Sequence, residues 1–323
     1  MLRTMIRDLV RKTSRFLEEL HRAWPRRRPI EFPEPSPLPD WKGKFDRLHK
    51  VTLTDEVSRT LFEEFTSHRD SSRGHEETGW VLLGLREEHE AVVLATLPAG
   101  TESNAGVAHV RFNSSGQVLG SRIVRQMDRR LTMLGVVHTH PGSMRHPSDG
   151  DYQGDILWVK QLRGGEGIFG IGTADANQNG ETLFGQNPKA NLQCWGPLCF
   201  SWYSLRYDDN NYRPLRFDLT LGPDLANPLH PIWPTIENHA DRVDRLCRQQ
   251  AKVYFEVVSG QEGTALALNL PLADPGNSLR VLLEGKEVRY YLFRQGQVLA
   301  ADLPEFRVDQ GVYLLLAELA AQG

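Results

Sequence analysis

Two histidines, a serine and an aspartate lie close together in the sequence at spacings suited to binding a metal ion. They are His138, His140, Ser148 and Asp151. The apolar, β-branched run at residues 131–137 directly precedes them and predicts a buried strand. Because residues two apart on a strand share a face, the two imidazoles project together from the end of this strand, where they can share one ion.

Ser148 is a favourable N-cap, and Pro147 before it is a suitable lead-in, so we expect a helix to begin there with Asp151 in its first turn. Two imidazoles and one carboxylate make three ligands of a tetrahedral zinc site, and an open fourth position is typical of a catalytic site. Zinc can lower the pKa of water in that position to about 7. Such chemistry also needs a general base within hydrogen-bonding reach of the water.

Each part of the pattern has a simpler interpretation. The histidine pair could be surface residues at a strand end, and Ser148 with Asp151 could form only a capping box. The occurrence of all four residues together favours the metal site. Among nearby candidates, His146 lies in mid-loop, Asp149 should face away from Asp151 on the helix, and Asp155, one turn later, could be a second-shell partner.

The complete spacing resembles a known signature. A His-Thr-His segment ending at His140, seven residues, Ser148, two residues and Asp151 are similar to the motif of the JAB/JAMM (MPN-plus) metalloproteases. That family also uses a glutamate on an earlier element, and Glu77 with the following Thr-Gly-Trp-Val-Leu-Leu-Gly resembles this segment. The resemblance covers roughly residues 48–207.

The resemblance implies a role for each of these residues. One Zn²⁺ per chain is expected to be held by His138, His140 and Asp151. Glu77 is expected to take a proton from water and return it to the leaving amine. Ser148 is expected to hydrogen-bond the developing oxyanion, a contribution worth roughly 10²–10³ in rate for one donor.

Three neighbouring residues bear on this assignment. Glu76 is adjacent to Glu77 and should point to the opposite face at a strand start, and the position of Gly79 favours Glu77 by similarity to the family. Thr139 lies between the two histidines and should face away from the ion. Trp80 stands where relatives often have a second glycine, so we expect it to reshape the wall near Glu77.

The implied activity is zinc-dependent hydrolysis after the C-terminal glycine of a ubiquitin-like protein, either deconjugation or precursor processing. The implied partners are that protein or its conjugate and the activating and conjugating enzymes of a bacterial pathway, including antiviral ones. Loops 99–108 and 175–193 are candidates to clamp a slim tail as an added strand. The alternatives are a non-catalytic MPN scaffold, whose relatives lack the ligands, and a RadC-like DNA-associated metalloprotein, which would prefer a basic cleft.

The overall amino-acid composition further narrows the class of protein to which this sequence can belong. The 323 residues are 40% hydrophobic, which is enough to build a core, and the net charge of −3 gives no reason to expect nucleic-acid binding. The three cysteines include no Cys-x-x-Cys pair, which fits a reducing compartment. No apolar run approaches the roughly 20 residues of a membrane span. We therefore expect a cytoplasmic protein, with membrane association unlikely.

The order of elements predicts a mixed α/β fold, which the resemblance specifies as a curved sheet flanked by helices. We place this domain at residues 48–210, a proline-rich linker at 211–235 and a small α+β domain at 236–323. Residues 1–47 combine a basic amphipathic helix with a proline-rich linker. That helix could dock on this protein or a partner, lie on an anionic membrane surface, or be a mobile tail.

Overall fold

Two β-sheets and five α-helices make up the part of the chain that the computed structural model describes, which comprises residues 45–99, 114–176, 189–260, 263–274, 276–294, 297–301, 303, 305 and 307–322. The first sheet contains β1 (Lys50–Thr54), β2 (Gly79–Arg86), β3 (Glu90–Pro98), β4 (Thr132–Thr139), β5 (Glu166–Thr173), β6 (Leu192–Trp195), β7 (Leu198–Arg206), β8 (Arg213–Pro214) and β9 (Arg216–Thr220). The second contains β10 (Tyr254–Ser259), β11 (Thr264–Pro271), β12 (Ser278–Glu284), β13 (Glu287–Arg294) and β14 (Gln297–Ala301). The helices are α1 (Asp55–Arg69), α2 (Ser115–Val124), α3 (Asp149–Val159), α4 (Trp233–Gln249) and α5 (Val308–Gln322), and a 3₁₀ helix, Asn227–Ile232, precedes α4.

The first sheet is mixed and strongly curved. Its strand order is β6-β7-β5-β4-β2-β3-β1-β9, with β8 paired to β7. The β4–β5, β1–β3 and β1–β9 pairs are parallel, whereas β2 runs antiparallel to both β3 and β4. The two edges approach each other, because the Phe217 N–H on β9 donates to the carbonyl of Ala190 just before β6 at 2.7 Å. The predicted mixed α/β class and curved sheet are confirmed.

Alternating side chains of this sheet enter two different cores. On β4, Val136 packs into a core shared with α2, α3 and α4, while Val137 packs into a second core beneath α1. The second core is rich in aromatic rings, including Phe65, Phe200 and Trp202. Because the face alternates at each residue, the position of Val136 also assigns the histidine two residues later to the α3 side of the sheet.

A backbone irregularity in β4 fixes its register. The pairing of β4 with β2 shifts between Leu82 and Leu83, opposite Gly135 and Met133. Gly135 has a φ of +155°, and a Cβ atom added there would lie 1.7 Å from the carbonyl oxygen of Ile168 on β5. Only glycine fits this position, and the resulting register places Gly79 opposite His138.

The proline-rich stretch 211–235, which we predicted to be a linker, differs in the structure. It forms β8, β9 and the 3₁₀ helix, and it is held to the first sheet: the Asp224 carboxylate accepts from the Thr96 hydroxyl at 2.6 Å and from the Thr96 N–H at 3.2 Å. The prolines lie where a backbone N–H is not needed, such as the start of α4 at Pro234. The high proline content of this stretch therefore reflects the ends and edges of secondary-structure elements and not a linker.

The C-terminal part has the predicted α+β composition. The apolar face of α4 is buried and comprises Ile236, Ala240, Val243, Leu246 and Cys247. This face belongs to one continuous hydrophobic core that reaches from the second sheet to the first. The strand β11 was not predicted. Residues 43–323 form one compact unit, so the expected separation at 235 is not seen in the packing.

Several predicted elements fall outside the described residues. They are the basic helix and most of the linker within residues 1–47, and most of the two loops, 99–108 and 175–193, that were proposed to clamp a tail. Within the described residues, no helix has the length and apolar character to cross a membrane.

Candidate metal centre

The two histidines lie side by side at the end of β4. His138 is on the strand, and His140 follows it, with its backbone N–H donating to the carbonyl of Gly172 on β5 at 2.8 Å. Each residue is only 6% exposed. Their Nε2 atoms are 3.0 Å apart. The strand end therefore brings two imidazole nitrogens to one point, as the alternation of side chains predicted.

The third ligand comes from the start of α3. Ser148 caps this helix, and its hydroxyl accepts from the Asp151 N–H at 3.1 Å. In return, Asp151 Oδ2 accepts from the Ser148 N–H at 2.6 Å and from the Ser148 hydroxyl at 2.7 Å. The capping box and the ligand cluster are thus the same structure, because the bonds that cap α3 also orient the Asp151 carboxylate.

The donor atoms have the separations of a tetrahedral site. Asp151 Oδ1 lies 3.4 Å from His138 Nε2, and Asp151 Oδ2 lies 3.7 Å from His140 Nε2. Ligands each about 2.0–2.1 Å from a zinc ion would be roughly 3.3 Å apart. The three residues therefore bring their donor atoms close enough to share a divalent metal ion. Among the described residues, the other cluster of comparable spacing is formed by Asp46, Glu88 and His89, all exposed.

The tautomer of His140 is fixed by the loop that follows β4. Its Nδ1 lies 2.7 Å from the carbonyl oxygen of Met144, and a carbonyl can only accept, so Nδ1 carries the proton. In the neutral ring, the Nε2 atom is then left with a lone pair directed at the cluster. This is the arrangement by which outer partners orient metal-binding histidines.

The electrostatics are those of a paired acid and base. Burial alone would raise the pKa of the Asp151 carboxyl, but hydrogen bonds from His138, His140 and the Ser148 backbone outweigh burial and hold it well below its usual range. Burial alone would lower the pKa of His140, but its bonds to Asp151 and Met144 and the charge of Glu77 raise it. Metal binding must therefore displace a proton from this cluster, so its affinity should rise with pH.

Glu77 lies directly before β2 and beside the histidines. The Thr139 N–H donates to the carbonyl of Thr78 at 2.8 Å, which extends the β2–β4 register by one pair beyond Gly79 and His138. The next pair in this register places Glu77 opposite His140, and the charge of Glu77 acts on the His140 pKa.

The competing glutamate is engaged elsewhere. The Glu76 carboxylate lies 2.7 Å from the Arg73 guanidinium, and the hydrogen bond from Arg73 lowers the pKa of Glu76. This pairing leaves Glu77 as the carboxylate next to the cluster, although the role of Glu77 as a base stays a prediction.

Three other candidates point away from the cluster. The His146 ring bonds to the Tyr203 hydroxyl at 2.9 Å, and Asp149 is exposed. Asp155 accepts from the hydroxyl of Tyr212 at 2.7 Å, and burial raises its pKa to about 6. These side chains support the helix and the loop instead of adding ligands.

The expectation for Trp80 was wrong. We expected it to reshape the wall near Glu77, but Trp80 is 2% exposed and packs in the second core, on the opposite face of β2. Its indole N–H donates to Glu64, and its ring meets that of Phe200 edge-on at 6.4 Å. Thr139, as predicted, faces this same side, and its hydroxyl accepts from the Thr78 N–H at 3.0 Å.

Sequence reasoning missed the residues that fix the 141–147 loop. The Arg145 guanidinium donates to Asp175 at 3.0 Å, and the Tyr203 hydroxyl donates to the carbonyl of Arg145 at 2.8 Å. Thr173 adds a hydrogen bond to the same oxygen of Asp175 at 2.7 Å. These bonds hold the loop whose Met144 carbonyl orients His140, and no local sequence pattern announces them.

Fold and site together define a mixed α/β domain with a candidate metal site. Residues 58–179, which include Glu77 and the whole ligand cluster, match the family model for prokaryotic homologues of the JAB domain. This part of the chain is therefore similar to the JAB/MPN family, which includes metallopeptidases.

Comparison with solved structures and with curated proteins adds two facts. Protein DSY2949 from Desulfitobacterium hafniense, known from a solution structure, is 16% identical, with a TM-score of 0.35 over 54% of this chain and 94% of that chain. No curated protein sequence matches significantly.

Proposed function

We propose that the protein is a zinc-dependent peptidase of the JAB type. The observation that supports this most directly is the cluster of donor atoms from His138, His140 and Asp151. The two Nε2 atoms are 3.0 Å apart, Asp151 Oδ1 lies 3.4 Å from that of His138, and Asp151 Oδ2 lies 3.7 Å from that of His140. Two imidazoles and one carboxylate leave a fourth position open for chemistry. Zn²⁺ held by these residues would supply Lewis acidity and would lower the pKa of a bound water to about 7.

Glu77 is the proposed general base and acid. It accepts the proton that the attacking water loses and returns it to the leaving amine, so one carboxylate serves both steps of amide hydrolysis. Its place opposite His140, at the start of β2, supports this role. The pairing of Glu76 with Arg73 removes the adjacent carboxylate from consideration.

Ser148 is proposed to stabilise the carbonyl oxygen as it gains negative charge. Its hydroxyl donates to Asp151 Oδ2 in this structure, but its backbone N–H bonds to the same oxygen. The hydroxyl can therefore rotate toward a substrate while the backbone keeps Asp151 in place. One such donor contributes roughly 10²–10³ in rate.

The proposed substrate is a ubiquitin-like protein, cleaved after its C-terminal glycine at a lysine isopeptide or a peptide extension, within a bacterial conjugation pathway in the cytoplasm. This part rests on resemblance to the family. A glycine-ended tail without side chains suits a site whose ligands are nearly buried at a strand end. The activating and conjugating enzymes of the pathway are the proposed partners.

The test is cleavage by the purified chain, loaded with zinc or stripped with a chelator. Substrates are a ubiquitin-like protein with a C-terminal peptide extension and the same protein joined to lysine, with products read by intact mass. Glu77→Gln should abolish cleavage and retain one zinc per chain. Glu76→Gln, the matched control on the neighbouring residue, should cleave normally. Cleavage that survives chelation, or that survives Glu77→Gln, would overturn the proposal.

A further inference from the structure

A large basic cavity lies at the end of the domain opposite the metal centre. Its volume is about 1300 Å³, and it opens between α2, the end of α3 and the chain entering β10. Thr132 at the start of β4 lines it, whereas His138 lies six residues further along the same strand, roughly 20 Å away at about 3.3 Å per residue. The cavity is therefore separate from the metal site.

The walls carry a strong excess of positive charge. Four cations line the cavity: Arg122, Arg125, Arg129 and Lys252. Arg122 lies 3.5 Å from Asp244, but among the described residues no carboxylate lies within 4 Å of the other three. The acidic side chain in the described lining, Glu256, is already paired with Arg280 at 2.7 Å. Such a wall favours a ligand with several negative charges.

The floor of the cavity is apolar. It is made by Val81, Leu83 and Met133 of the first sheet, with Trp158 and Leu162 beside them. A small inorganic anion would leave this surface unused. A floor of this kind beneath a charged rim suits a chain that has both acidic and apolar side chains.

One side of the cavity is the outer edge of the second sheet. β10 is an edge strand, and the Phe255 N–H donates to Gln126 Oε1 at 2.8 Å while the Phe255 carbonyl accepts from Gln126 Nε2 at 3.2 Å. The Gln126 amide thus occupies the backbone groups that a neighbouring strand would occupy. Because outward backbone groups recur every second residue, those of Val257 have the same orientation.

From these features we infer that this cavity binds an extended, acidic segment of a partner protein. The segment crosses the floor between α2 and the start of β10, its carboxylates meet Arg125, Arg129 and Lys252, and its apolar side chains contact the floor. The volume exceeds the roughly 300–1000 Å³ of most small-molecule sites, which favours a peptide over a nucleotide. The inference does not depend on the proposed peptidase activity, because binding can be measured without metal.

The test measures binding of a fluorescein-labelled peptide of alternating glutamate and isoleucine to the full chain by fluorescence anisotropy, with and without chelator. We expect binding that weakens as salt rises, and no binding of the matching lysine–isoleucine peptide. The double variant Arg129→Glu with Lys252→Glu should lower affinity roughly tenfold or more, since it replaces two attractive charges with two repulsive ones.

A matched control reverses two exposed cations of the second sheet instead, Lys286→Glu with Arg294→Glu, and should leave affinity within about twofold. Hydrogen exchange should slow at β10 and α2 when the peptide binds. Equal losses in the two double variants, or protection confined to other elements, would overturn the inference. So would binding of ATP or single-stranded RNA at this cavity with no binding of the acidic peptide.

Discussion

Ser148 and Asp151 exchange three hydrogen bonds, at 2.6, 2.7 and 3.1 Å, and these bonds both begin a helix and aim a metal ligand. Removing the hydroxyl by Ser148→Ala should weaken zinc binding about tenfold, because outer partners of metal ligands typically contribute 10–100-fold and the backbone N–H remains. The loss of the cap should also cost about 1 kcal/mol of unfolding free energy. Competition with a chelating dye and urea unfolding measure the two effects.

Ser114 provides the control, since it caps α2 through the same reciprocal arrangement with Gln117. Ser114→Ala should destabilise the fold by a comparable amount without changing zinc affinity. If both variants lose zinc affinity equally, Ser148 acts only through helix stability.

The charge of Asp151 should be essential for the metal and dispensable for the helix. Asp151→Asn keeps an oxygen that can accept from Ser148 but removes the negative charge, so we expect zinc to be lost from stoichiometric binding. In the wild type, added zinc should raise the melting temperature, because an ion that binds only the folded state stabilises it. Differential scanning calorimetry should show this rise in the exposed-site control Asp149→Asn and no rise in Asp151→Asn.

Two glycines should respond to alanine with opposite signs. At Gly135 the added Cβ would meet the Ile168 carbonyl oxygen at 1.7 Å, so Gly135→Ala should cost about 4 kcal/mol or more, or prevent folding. Gly154, within α3, has nothing within 4 Å of an added Cβ, so Gly154→Ala should stabilise by about 0.5–1 kcal/mol. Urea unfolding checks both, and a neutral Gly135→Ala would contradict the bulge as described.

His239 should make the fold less stable in mild acid. Burial lowers the pKa of its imidazole, against the weaker effect of its 3.1 Å hydrogen bond to the Gly285 carbonyl. As pH falls through about 6.5, the unfolded chain gains a proton that the folded chain resists, so stability is lost. We expect His239→Gln, which can still donate to Gly285, to show a smaller stability difference between pH 7.5 and pH 5.5 than the wild type.

This measurement is made on chelated protein, so that titration of the metal ligands does not contribute a zinc-dependent change. The exposed His75 supplies the comparison, since His75→Gln should retain the wild-type pH dependence. If the pH dependence of stability is the same in His239→Gln as in the wild type, burial of the His239 imidazole does not oppose its protonation.

The ligand cluster could be predicted from sequence because every part of it is local. Strand alternation assigned His138 and His140 to one face, and capping preferences began α3 at Ser148. Helical spacing then placed Asp151 on the side of α3 that faces the histidines at the end of β4. Each inference spans fewer than four residues, the distance over which propensity and periodicity are informative.

What escaped prediction depends on contacts between distant residues. Asp224 reaches Thr96 across 128 positions, and the edge strand β9 was hidden within a proline-rich stretch. Trp80 was expected to reshape the wall near Glu77 because relatives often have a glycine at its position, yet alternation along β2 places it in the opposite core. The basic cavity draws its walls from segments far apart in the chain, so no single stretch of sequence reveals it.

The incorporation of residues 211–235 into the first sheet has a practical consequence for anyone seeking a minimal catalytic fragment. A truncation at residue 210 would remove β9 and leave the backbone groups on that side of β1 without partners. Thr96 would also lose its hydrogen bond to the buried carboxylate of Asp224. The apolar face of α4 would also leave the core that it shares with α2. The part of the chain that carries the candidate metal site is therefore not severable at the proline-rich boundary, and expression of residues 48–210 alone should give insoluble material.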